Sequence, residues 1–139
     1  MPPTVTVIEE DIPQEREAIL NALCAFNLKN APDPDFRMLG LLLKDEAGAT
    51  IGGLWGRSGY EWLFIELLFV PEHLRGSGVG TQLMRQAEDV ARERGLTGIW
   101  LDTFAFQALG FYQKLGFTVF GELKDHPRGI SQYWLQKRV

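Results

Sequence analysis

Residues 69–83 read FVPEHLRGSGVGTQL, and this stretch decides how the chain is read. An apolar run ends, Arg75, Gly76, Gly78 and Gly80 follow, and an amphipathic helix begins. A turn between strand and helix needs one left-handed residue, or two. Glycine at three alternate positions also strips side chains from the backbone and lets something lie close against it. A helix start carries unpaired amides and the positive end of the dipole, and Arg75 adds a charge at the mouth. The loop therefore reads as an anion cradle. A turn that merely needs glycine is the plainer alternative; the buried strand before the loop favours the cradle.

Outward from this loop the fold class follows. Residues 62–70, WLFIELLFV, are apolar on both alternating faces and predict a central strand covered on each side. The helix over residues 78–94 turns Val79, Leu83, Ala87, Val90 and Ala91 inward, and Gly95 closes it. GIWLDT at 98–103 is a second buried strand, so strand, helix and strand imply a right-handed crossover and a parallel pair. Upstream, β-branched alternation predicts a first strand over residues 4–9. Ala18, Ile19, Ala22, Leu23 and Phe26 predict a helix over 14–28, and prolines make 31–35 a loop. Residues 37–44 and 50–56 form a hairpin around DEAG. Downstream come a short helix near 107–115, the run GFTVFGE, a loop through Pro127 and a last strand in ISQYWLQKR. The expectation is one α/β domain over residues 1–139.

Composition narrows the function. The chain has 139 residues, 45% hydrophobic and 23% charged, with a net charge of −4. That balance argues against a protein that tracks nucleic-acid phosphates. The one cysteine, Cys24 in ILNALCAF, reads as a small buried hydrophobe and allows no internal disulfide. Acidic residues come too early for a signal peptide and no apolar run spans a bilayer, so a cytosolic protein is expected. No cluster of metal ligands appears.

The nucleotide loops fail on their residues. A Walker loop needs lysine and then Ser or Thr after its last glycine, but Thr81 and Gln82 follow Gly80. The dinucleotide fingerprint needs a glycine where Thr81 stands. Arg75, Gly78 and Gly80 instead fit R/Q-x-x-G-x-G/A, and QALGFYQKLGF at 107–117 places Ala108, Tyr112, Gly116 and Phe117 in A-x-x-x-Y-x-x-x-G-F. Together these segments resemble the GNAT superfamily of acetyl-CoA-dependent N-acetyltransferases, and a small bacterial single-domain branch of it. The resemblance implies a mixed six- to seven-stranded α/β sheet, with an antiparallel first half, a splayed parallel central pair and helices on both faces.

It also implies a site. Amides of Gly76, Ser77, Gly78, Val79, Gly80 and Thr81, with Arg75, would hold the pyrophosphate of acetyl-CoA. The backbone of Leu68, Phe69 and Val70 would hold its pantetheine arm, and the thioester would lie near Glu66. Glu66 is the lone charge in its strand; apolar surroundings would raise its pKa and suit a general base, unless it is a paired structural carboxylate. Tyr112 matches the family tyrosine near the cofactor sulfur, which can protonate the departing thiolate; a core aromatic is its rival role. Relatives often carry asparagine where Ala105 stands, and Gln107 is a candidate to supply an amide to the cofactor instead. Asn27, Trp55 and His126 are candidate acceptor-site residues, although Trp55 and Trp62 also read as core or pocket wall and His126 as a solvated loop residue. His73 reads as surface. The expected activity is direct acetyl transfer to a primary amine of a small molecule, without a metal, and with a homodimer as family habit. The alternatives are a protein or peptide N-acetyltransferase and a non-catalytic acyl-CoA-binding module.

Overall fold

A computed structural model describes all residues, 1–139. They divide into two compact units, 1–33 and 34–139, each taken by itself.

The first unit contains one helix, α1 (Pro13–Asn30), with proline in its first turn and Asn30 Nδ2 donating back to the Phe26 carbonyl at 2.8 Å. It is longer than the predicted helix and buries none of its residues. Ile19, Leu23 and Phe26 are exposed, and so is Cys24, contrary to its reading as a buried hydrophobe. Residues 4–9 form no strand. Their β-branched alternation supplies propensity only; a strand exists where a neighbouring edge takes its hydrogen bonds, and none pairs with them.

The second unit is a six-stranded sheet. Its elements are β1 (Arg37–Lys44), β2 (Thr50–Gly59), β3 (Trp62–Phe69), α2 (Val79–Glu93), β4 (Gly98–Phe104), α3 (Leu109–Lys114), β5 (Thr118–Leu123) and β6 (Gln132–Arg138). The strand order is β1-β2-β3-β4-β6-β5. All neighbours are antiparallel except β3 and β4, the parallel pair that the crossover required. α3 is shorter than predicted.

Alternation along the strands sends Leu63, Ile65, Ile99, Leu101 and Leu135 to one face, where Met84, Ala87 and Ala91 of α2 and Tyr112, Leu115 and Phe117 complete the core. The opposite face carries aromatic rings, with Phe64 stacked on Trp100 at 4.1 Å. Glu88 of α2 is buried in the midst of this packing, where Lys137 Nζ of β6 lies 2.6 Å from its carboxylate. Arg94 ties the end of α2 to the first hairpin, donating to the carbonyls of Arg37 and Met38 and to Ser58 Oγ. Burial lowers its pKa, with Arg37 adding to the effect. No helix is long and apolar enough to cross a membrane.

Candidate active site

The parallel pair is short. β3 and β4 are in register only from Trp62↔Gly98 to Ile65↔Leu101. Beyond that point β3 stays with β2 as far as Gly53↔Phe69, and β4 stays with β6 as far as Phe104↔Gln132. The two strands therefore splay, and residues 66–69 keep a backbone edge that β4 does not take up. The β2–β3 register shifts at the same place, pairing Trp55 with Leu67 and Gly56 with Ile65, so that Glu66 is an extra residue on β3. Alternation from inward Leu63 and Ile65 sends Glu66 to the opposite face, and its side chain is exposed. The apolar burial expected around Glu66 from its neighbours in sequence is thus absent.

From Phe69 the chain passes through a 3-10 turn, Glu72–Leu74, into the glycine loop. Gly76 and Gly78 are left-handed, with φ of +80° and +87°, a conformation that disfavours side chains. A Cβ at either position would meet open space. Gly80 is glycine for another reason: a Cβ there would stand 3.3 Å from the Phe111 ring. Gly78 is the N-cap of α2 and no side chain caps that end, so its first amides have no intrahelical partner. Ser77 Oγ donates to the Leu74 carbonyl. Arg75 folds back, its Nε donating to the Val70 carbonyl at 3.0 Å and its guanidinium lying 5.7 Å from the Phe69 ring centre.

These pieces line one cavity of about 670 Å³. Its walls include Leu68, Phe69, Val70, Arg75, Gly76, Gly78, Val79, Gly80 and Thr81 on one side and Gln107 and Tyr112 on the other. The fit to coenzyme A rests on two observations: a free strand edge for an amide-bearing arm, and an uncapped helix start with a bare concavity for phosphates. Gln107 is partly committed, because its Oε1 accepts from the Phe104 amide at 2.9 Å and from Thr103 Oγ1 at 3.2 Å. Its amide nitrogen is the group that faces no such claim.

Tyr112 is buried on α3, edge-on to Phe111 and Phe117. Burial pushes its pKa up to about 12, and the Asp102 carboxylate adds to the rise. Its hydroxyl is therefore neutral at physiological pH and keeps a proton to donate. Trp55 is on β2 beside the bulge, with its ring over Gly40. His126 is exposed on its loop, and its ring meets Phe104 of β4 edge-on at 5.4 Å. His73 is exposed, as expected. Asn27 belongs to the first unit and is half-buried. Asp102, which the sequence reading passed over, lies one residue past the last β3–β4 pair. Its only signal was a charge inside the apolar run GIWLDT.

The acetyltransferase (GNAT) family matches residues 6–117. The chain belongs to this family. It is 38% identical over 125 residues to acetyltransferase Atu2258 of Agrobacterium fabrum, spanning 90% of this chain and 91% of that one. It is 40% identical over 95 residues to blasticidin-S acetyltransferase of Streptomyces morookaense, spanning 68% of this chain and 70% of that one. The crystal structure of an acetyltransferase from Bacillus cereus superposes with a TM-score of 0.87 at 35% identity, over 96% of this chain and 98% of the other. The GNAT-like sheet with its splayed central pair is therefore the fold of this acetyltransferase.

Proposed function

We propose that this acetyltransferase moves the acetyl group of acetyl-CoA onto a primary amine of a small molecule. One observation carries the reading: the unpaired edge of β3 leads, through a 3-10 turn and the glycine loop, to an uncapped helix start, along a cavity whose far wall holds Tyr112. The blasticidin-S acetyltransferase relative supports a small-molecule acceptor. The family match runs from residue 6 to 117, across both units, which favours a single domain.

When bound, acetyl-CoA supplies a thioester carbon at which a C–N bond forms as the C–S bond breaks. The chain's own groups do the rest. Backbone amides of residues 76–81 neutralise the pyrophosphate at the positive end of α2. The free edge of β3 aligns the arm and offers an amide near Leu68 to the developing oxyanion. Exposed Glu66 takes a proton from the incoming ammonium, directly or through water. Tyr112 donates to the leaving sulfur and, with its raised pKa, keeps its proton across the working range.

The test is a calorimetric titration with acetyl-CoA, with ATP and NADH as controls, followed by thiol release with an amine panel. The reading requires acetyl-CoA binding that Gly78→Val abolishes, and turnover of at least one amine. A folded protein that ignores acetyl-CoA would overturn it.

A further inference from the structure

Of the chain's carboxylates, Glu88 and Asp102 alone are not exposed. Glu88 is matched, with Lys137 at 2.6 Å and Arg85 and Arg92 at 3.4 and 3.5 Å. Asp102 is half-buried and meets no cation. Its hydrogen bond comes from the neutral amide of Gln132, whose Nε2 donates to Oδ1 at 3.1 Å, and Gln132 is itself buried. The amide fixes the carboxylate without neutralising it and leaves Oδ2 without a protein donor. A carboxylate that meets no protein cation and keeps one oxygen free of a protein donor is open to pairing with a bound cation.

Its place gives the arrangement meaning. Asp102 follows Leu101, the last β4 residue paired with β3, and so stands where the two strands part. Glu66 follows Ile65 at the matching point of β3. The charge of Asp102 is felt at the Tyr112 hydroxyl. Two residues on, Phe104 stacks on Phe106 at 5.3 Å and meets His126 edge-on, and Phe106 lines the cavity. A carboxylate and an adjoining aromatic wall suit an amine that is both charged and carbon-rich.

We propose that Asp102, oriented by Gln132, binds the ammonium group of the acceptor at the splay between β3 and β4, which makes alkylammonium compounds the substrate class. This rests on the acetyl-transfer reading above and adds to it a residue and a charge requirement.

The experiment is calorimetry on the intact protein, first with acetyl-CoA and then, on the complex with coenzyme A, which has no acetyl group to transfer, with hexylammonium, spermidine, aniline and hexanol. Wild type should bind hexylammonium at least about tenfold more tightly than hexanol, the size of a single well-placed ion pair. Asp102→Asn keeps the acceptor atom for Gln132 and removes the charge. It should bind hexylammonium about tenfold or more weakly, with acetyl-CoA and aniline affinities and the melting temperature unchanged. Asp102→Glu should recover most of the affinity. Equal affinity of wild type for hexylammonium and hexanol overturns the proposal without any variant, and so does undiminished ammonium binding by Asp102→Asn. Loss of the acetyl-CoA step in wild type would instead bring down the acetyl-transfer reading, and this assignment with it.

Discussion

Tyr112 is a core side chain to which the proposed mechanism also gives chemistry. A phenol with a folded-state pKa of about 12, against roughly 10 in an unfolded chain, favours the native state while it stays neutral. That stabilisation is complete below about pH 10 and is lost as pH rises toward about 12, worth about 2 to 3 kcal/mol in total. Denaturant unfolding at about pH 8 and about pH 11 should therefore show an alkaline loss that Tyr112→Phe removes. The same variant should lower kcat by about 10²-fold, with acetyl-CoA affinity within a few-fold of wild type, in a thiol-release assay. Gly78 makes the complementary case. At φ +87°, a branched side chain costs about 1 to 2 kcal/mol. Because its Cβ would project into open space, Gly78→Val should retain the fold, melt earlier and fail to bind acetyl-CoA in calorimetry.

Helix α2 is held to the sheet by more than its apolar stripe. The Glu88 carboxylate is buried and receives Lys137 from β6, so it ties the helix to a strand far along the chain. Glu88→Gln should destabilise the unit by about 2 to 3 kcal/mol in denaturant unfolding, the range for a hydrogen bond to a charged group, and leave acetyl-CoA affinity unchanged. The helix itself was legible, since Leu83, Ala87 and Ala91 recur at its own period, and the buried strands around it are short apolar runs. Residues 4–9 misled because pairing is not local: alternation marks a sequence able to be a strand, and only a partner edge makes it one. Cys24 misled for a related reason, since an apolar stretch does not say whether any surface covers it. The shape of the glycine loop was legible too, since Gly76 and Gly78 are left-handed and the start of α2 carries no side-chain cap. Exposure of Glu66 was not, because it depends on what covers the outer face of β3, which no single segment encodes.

The whole sheet is two three-stranded halves, β1-β2-β3 and β4-β6-β5, joined by four residue pairs. Above that joint lies α2; on the other face Phe64 stacks across it on Trp100. Acetyl-CoA at about 100 times its Kd should raise the stability of the native state by about 2.7 kcal/mol, read as a shift of several degrees in the melting curve. Hydrogen exchange should slow at the amides of residues 66–69, where a bound arm adds rungs that β4 does not supply. The splay thereby links catalysis to upkeep. With acetyl-CoA as the proposed donor, a polypeptide whose seam its donor laces would be most open to tearing, and to proteases, when that donor is scarce, so the standing amount of this acetyltransferase in a cell should track the supply of that thioester.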